Sequence, residues 1–409
     1  MPRHYLFFFA ICLFLCFTSK GQTSIIGKVV DASNNIPVEN AAVFINNTSI
    51  GTLSNSKGDF FLERISIPLS RFQIIVSAVN YEPFSLILTQ DSLHNHFVVK
   101  LKPKINELDG VIVRDYFKNG WRKWGAIFTK LFLGTSPLAN DCEILNKNVV
   151  KFSYSKKRQV LSAFADEPII IENKALGYKV HYSLKTFSYN EKENEFNYAG
   201  YPFFEEMNGR KNVNEYWKKQ RALVYYGSML HFMRGLYTNK LKNECFNLSI
   251  YKVWSNTEKA RIKKIFAILN SPSRIDQDTI RMFEDSTWYY KQVIQQPDSL
   301  KGFVEIKADS IAYAIDSTLA GLWFQDTVYV SYEKTEKIDN IESRCVGCYK
   351  MPESQNSKMV LSTAQAPVEV TANGMFYPPI IKVSGYWGWR ERIATMLPYD
   401  YEPIILFSQ

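Results

Sequence analysis

Ile25-Ile26-Gly27-Lys28-Val29-Val30-Asp31, then Ala41-Ala42-Val43-Phe44-Ile45, Phe60-Phe61-Leu62, and Phe72 to Val79 set the reading of this 409-residue chain. These are short runs of β-branched, aromatic and aliphatic residues, and Phe84 to Leu88 and Phe97 to Leu101 continue them. The breaks between them hold Asn34-Asn35 with Pro37, Asn46-Asn47, Lys57-Gly58-Asp59, Asn80 with Pro83, and Asn95. Strands of this length with turn residues at each gap predict an all-β sandwich of the seven-stranded type, and no helical period competes.

The same stretch resembles a known family. Ile26 to Asp31, Pro37-Val38-Glu39-Asn40-Ala41-Ala42-Val43, Gly51-Thr52, Gly58-Asp59-Phe60-Phe61-Leu62 and Val76-Ser77-Ala78-Val79-Asn80-Tyr81 are similar to the carboxypeptidase regulatory-like domain. The resemblance implies a transthyretin-like sandwich, found also at the start of TonB-dependent receptors that import glycans. Asn80 stands where the family has Gly, and Asn is the next residue able to hold a left-handed turn.

Before the sandwich, Arg3 and His4 lead into an apolar run from Tyr5 to Phe17 and then Thr18-Ser19-Lys20-Gly21. The run is too short to cross a bilayer and has the build of a secretory signal peptide, residues 1–21. Cleavage is expected between Gly21 and Gln22, because Leu15 before Cys16 does not suit lipoprotein processing. Losing Arg3 and Lys20 takes 49 basic residues to 47 against 40 acids, a mild +7. With positives scattered among acids, nucleic acid is not an expected partner, and no later apolar run reaches 18 residues.

The sandwich is expected to occupy residues 22–102 as an independent folding unit, with Pro103 opening the link to an α+β part, 103–409. There Asp115 to Leu133 places Phe117, Trp121, Trp124, Phe128, Leu131 and Phe132 on one side of a helix carrying Lys118, Arg122, Lys123 and Lys130 elsewhere. Such a helix either lies on an anionic membrane or packs its aromatic face on a sheet, and the second is expected. Strand-like runs follow from Val149 to Tyr198. A helical region, Val213 to Leu241, has Gly227-Ser228 as an expected kink. Further strands lie between Phe246 and Thr371, and a last helix runs from Trp387 to Met396. The alternation Val368-Glu369-Val370-Thr371 predicts a largely antiparallel sheet. The blocks Asn173 to Tyr178, Gly200 to Phe204, Trp217 with Arg221, His231 with Arg234, and Leu397 to Pro403 resemble the unassigned downstream region of exported carboxypeptidase-like regulatory domain proteins. That resemblance implies no activity.

Catalytic motifs are sparse. Beyond residue 21 the histidines are His94, His96, His181 and His231, none in a zinc-peptidase spacing, so no metal or other cofactor is expected. There is no Gly-x-Ser-x-Gly elbow or phosphate-binding glycine loop, and Ser-x-x-Lys occurs without a Lys-Thr-Gly. His231, with Arg234 one turn on and Arg221 upstream, is the one acid–base candidate; the competing reading is a hydrogen-bonded structural histidine. Trp387, Trp389 and Arg390 are candidates for stacking on sugar rings, against packing of the last helix. Cys345 and Cys348 are expected as a local disulfide in an oxidising envelope, with Cys142 and Cys245 left over. The sequence therefore points to a non-enzymatic cell-envelope binding or accessory protein in the periplasm or at the outer membrane, its partner a glycan or an envelope protein such as a TonB-dependent receptor. The alternative is an envelope hydrolase centred on the His231 helix.

Overall fold

The structure, a computed structural model, describes residues 23–65, 71–89, 96–104, 117, 119–269, 287–363 and 366–403. Gly21, Gln22 and His94 lie outside them. The sandwich is built from β1 (Thr23–Asp31), β2 (Ala42–Ile45), β3 (Gly51–Leu53), β4 (Asp59–Ile65), β5 (Arg71–Ser77), β6 (Phe84–Thr89) and β7 (Phe97–Leu101). They form a sheet β4-β1-β7, with β7 parallel to β1, facing an antiparallel sheet β3-β2-β5-β6. Period-two alternation sends Ile25, Val29, Val43, Ile45, Phe72, Ile74, Val76 and Val99 into one apolar core. Asn80 has φ +67°, so the turn in which Asn replaces the family's Gly survives in the left-handed region. The three-residue β3 was not legible, being too short to show a period.

Beyond the sandwich, α1 (Gly120–Leu133) is followed by β8 (Cys142–Ile144), β9 (Val150–Ser155), β10 (Val160–Ala165), β11 (Ile169–Asn173), β12 (Tyr178–Asn190) and β13 (Glu195–Glu206). The order is β8-β11-β12-β10-β9, all antiparallel, and β13 pairs with the long β12. The aromatic side of α1 is spent on this sheet. Phe128 meets Phe187 at 4.9 Å, Phe132 meets Tyr182 at 5.0 Å, and Trp124 stacks on Tyr154 at 4.9 Å. With those rings buried, the apolar stripe of this helix faces protein, the packing expected of it.

The helical region expected from Val213 to Leu241 is two helices, α2 (Lys211–Tyr225) and α3 (Met229–Tyr237). Gly227 breaks them at φ +72°, where a Cβ would stand 2.4 Å from Gln355 Oε1, and the Ser228 hydroxyl accepts the His231 N–H to cap α3. The chain continues through β14 (Phe246–Ser255), α4 (Thr257–Leu269), α5 (Thr287–Gln295), β15 (Ser299–Ile306), β16 (Ala312–Ala314), β17 (Leu319–Leu322), β18 (Val328–Glu333), α6 (Glu336–Ser343), β19 (Ser354–Leu361), β20 (Val368–Thr371), β21 (Phe376–Tyr377), β22 (Ile381–Gly385) and α7 (Tyr386–Arg390). Two more antiparallel sheets result, β15-β14-β18-β19-β22 and β16-β17-β20-β21. The expected last helix stops at Arg390, and a separate 3₁₀ turn takes Ile393–Thr395. One continuous core runs from Trp124 in α1 through the α2–α3 corner to both later sheets and on to Tyr401.

The two parts meet along a seam. Thr48, in the β2–β3 turn, forms a parallel bridge with Phe203 of β13, and its carbonyl accepts the Phe204 N–H at 3.0 Å. Phe44, outside the sandwich's own core yet buried, lies 5.3 Å from the Phe203 ring. Ser49 donates its N–H to Asp400 Oδ1 at 3.0 Å, and Arg71 pairs with Glu369.

Candidate functional site

The α2–α3 corner gathers the residues singled out in the sequence. His231 is 3% exposed. Its Nδ1 accepts the Gly227 N–H at 3.2 Å, which assigns the ring proton to Nε2, and Nε2 lies 3.2 Å from Glu244 Oε2. Tyr225, Tyr226, Phe246 and Tyr332 surround the ring with centroids 4.8 to 5.7 Å away. A general base needs a nitrogen able to reach a substrate, and here each nitrogen has a partner inside a packed aromatic box. In this geometry His231 ties the Gly227 turn to Glu244, with both ring nitrogens engaged within the fold. Glu244 had no sequence signal, because it lies past the end of α3 in an irregular segment.

The two arginines are similarly occupied. Arg221 donates from Nε to the Leu176 carbonyl at 2.7 Å, from Nη2 to Gly177 at 3.1 Å and from Nη1 to Glu206 at 2.8 Å, with its guanidinium 3.8 Å over the Tyr178 ring. It fastens α2 to the β11–β12 turn. Arg234 donates from Nε to the Asn373 carbonyl at 3.1 Å and from Nη2 to Tyr399 and Tyr401 at 3.0 and 2.9 Å, holding the 399–401 segment on α3.

The aromatic cluster divides. Trp387 is 1% exposed, with Nε1 donating to the Gly227 carbonyl at 2.8 Å and its ring 5.2 Å from Phe232. Arg390, also 1% exposed, donates to the carbonyls of Leu223, Val224 and Tyr226. Those are last-turn carbonyls of α2, which lack helical partners and attract a cation. Both side chains are turned into the fold, Trp387 in the core and Arg390 on the last carbonyls of α2. Trp389 is 40% exposed and leans on Tyr386 at 5.6 Å. Next to it, Glu391 accepts the Met229 N–H at 3.2 Å, and burial raises its carboxyl above the ordinary range.

Cys345 and Cys348 are bonded to each other, Cα to Cα 5.5 Å. Cys142 and Cys245 are free, and burial pushes the Cys142 thiol up to about 12, where it is not a nucleophile. Among the described residues no three His, Cys, Asp or Glu side chains are placed to hold a metal ion, and no helix is long and apolar enough to cross a membrane. An open groove of about 600 Å³ runs along α1, walled by Trp121, Thr129, Lys130, Ser136, Asn140 and Glu143.

With this geometry in view, residues 25–113 match the family model of the CarboxypepD_reg-like domain. The chain carries a carboxypeptidase regulatory-like domain. No curated protein matches the chain. Among solved structures it is similar to a Bacteroides fragilis protein of unknown function described as membrane-associated, at 9% identity over 85% of this chain and 93% of that one, TM-score 0.16. It is also similar to a 9R-lipoxygenase from Cyanothece, at 8% identity over 53% and 49%, TM-score 0.15. At such TM-scores neither likeness bears on fold or function. What the carboxypeptidase regulatory-like domain adds is a sandwich seated on a larger body through β13.

Proposed function

We propose that this chain is a non-enzymatic binding or accessory protein of a Gram-negative cell envelope, exported through its first 21 residues. One observation carries the reading: the polar side chains that sequence analysis marked as chemically promising are bonded within the fold, His231 at both ring nitrogens and Arg221, Arg234 and Arg390 mainly to backbone carbonyls. The accessory nature of the sandwich supports it, as does the open groove along α1, whose indole wall, hydroxyls and amide suit a glycan. An envelope protein such as a TonB-dependent receptor is the other partner class. A panel of peptide, ester and glycoside substrates tests the reading. No turnover by wild type is expected, and turnover that vanishes in a folded His231→Ala variant would replace it with the hydrolase.

A further inference from the structure

In the sheet β15-β14-β18-β19-β22, alternation turns Leu248, Val328, Val330 and Met359 into the core and leaves the opposite face to solvent. Tyr251 and Phe303 stand directly opposite each other on that outer face, 46% and 62% exposed, with ring centroids 5.3 Å apart. Phe303 also meets Tyr329 of β18 at 4.8 Å, so the rings form a ladder over three strands. We propose that this outer face binds a uronic-acid polysaccharide, its sugar rings against the aromatic ladder and its carboxylates on the lysines around it. The proposal rests on the binding-protein reading above and gives it a ligand class and a surface made of other residues than the groove along α1.

Single exposed apolar side chains are ordinary, but rings that touch one another and still face water mark a contact surface. Charge sets the class. Lys301 of β15, Lys358 of β19 and Lys382 of β22 lie exposed on the same face, and none has an ion pair among the described residues. The Lys358 ammonium instead sits 5.3 Å from the Tyr329 ring centre, joining charge to the ladder. The acids of this face are Glu305, which lies 3.5 Å from Lys242, and Glu333, at the far end of β18 from Tyr329. Neighbouring strands stand about 4.8 Å apart, so the lysines are spread singly across four strand spacings, about 19 Å of sheet. Cations so dispersed match a chain with one carboxylate per sugar ring, whereas the dense charge of a nucleic-acid backbone calls for clustered ones. Asn247, Ser331 and Asn356 are interleaved with the rings and supply donors and acceptors for sugar hydroxyls. The same groups count against a lipid surface, because burying them at the headgroup boundary would strip their water.

Affinity electrophoresis of the full chain through gels holding polygalacturonate, with neutral pullulan as the control, tests this. Retardation by polygalacturonate that weakens as salt rises, and little by pullulan, is expected. Phe303→Leu keeps an apolar side chain on the edge strand but removes the flat ring, and should weaken binding about three- to tenfold at an unchanged melting temperature. Lys358→Gln should weaken it about two- to fivefold and flatten its salt dependence. Lys156→Gln, the same charge loss on the β9–β10 turn, should do neither. Equal retardation by pullulan, none by polygalacturonate, tighter binding of a thymidine oligonucleotide or of phosphatidylglycerol vesicles, or affinity unchanged in both face variants would overturn the site. So would a dimer in light scattering that Phe303→Leu dissolves, since the ladder would then belong to a second copy. Silence towards polygalacturonate leaves the non-catalytic reading standing, because the substrate panel decides that separately.

Discussion

The sandwich and the larger body are both antiparallel β structures with buried apolar cores, yet their polar bonds have different reach. In the sandwich the side-chain ties are comparatively local: Asp31 accepts from Ser33 and from Tyr81, 50 residues on, and Ser54 bonds across 13 and 16 residues to Ala41 and Val38. In the larger body Trp387 reaches back 160 residues to Gly227, Arg390 reaches 167 to Leu223, and Asn173 reaches 221 to Ala394. The sandwich can settle its polar groups as its strands pair. The α2–α3 corner is complete only when the segment after β22 returns to cap it, a long loop closure that rewards the chain late.

The largest effect that would break or sharpen this contrast is at Trp387. Replacing it by Ala removes a fully buried indole and leaves the Gly227 carbonyl bare, a cost of about 3 to 5 kcal/mol. If the sandwich folds independently, thermal unfolding of Trp387→Ala should show the larger body melting far earlier while the sandwich transition stays in place. A fragment of residues 22–102 should then unfold cooperatively at that same upper transition. A common shift of all signal would mean that the two parts are one cooperative unit.

His231→Ala probes the same corner more gently. It strands the Gly227 N–H and opens space beside Phe246, which together cost about 1 to 3 kcal/mol. The melting temperature of the larger body should fall accordingly; a variant as stable as wild type would show that the tie to Glu244 is not structural.

Phe203→Ala acts on the seam itself. Its ring contact with Phe44 is worth about 0.5 to 1.5 kcal/mol. Because both parts lose by it, both transitions should drop by similar small amounts. An effect confined to one part would show that the other gains nothing from docking.

How much was legible follows the same division. The sandwich strands were readable because inward residues such as Phe72, Ile74 and Val76 alternate with turn residues at each end. The three helices α4, α5 and α6 were not: in α4, Arg261, Lys263 and Lys264 interrupt the apolar residues and leave Ile262 buried at 0% with little stripe around it. At the site, His231, Arg221, Arg234 and Arg390 stood out as residue types, but their partners are mostly backbone carbonyls, and a carbonyl has no sequence identity. Trp387 and Trp389 could not be told apart either, since two residues of spacing in one short turn send one ring inward and the other to the surface. The seam left no trace because Thr48 and Phe203 read as an ordinary turn and strand.

The smallest expected effect is on pH dependence, and it should have opposite signs in the two parts. In the sandwich, hydrogen bonds from the Ser33 hydroxyl and N–H, aided by Tyr81, hold the Asp31 carboxyl below its ordinary 3.8. The unfolded chain then takes up its proton first as acid is added, so this contribution is complete above pH 3.8 and is lost as pH falls through the lowered folded value. In the larger body, burial holds Glu391 above its ordinary 4.5. There the unfolded carboxyl ionises first as pH rises, so stability drains away from pH 4.5 up to the raised folded value and is level beyond it. Asp31→Asn should flatten the acid limb of the sandwich transition only. Glu391→Gln, whose amide oxygen can still accept the Met229 N–H, should flatten the limb above pH 4.5 of the other transition only. Melting curves of both variants from pH 3 to 7 check this. The same sign of slope in both transitions would show that the Ser33 bonds to Asp31, or the burial of Glu391 against the charges of Arg390 and Arg392 that favour its ionised form, do not set these limbs.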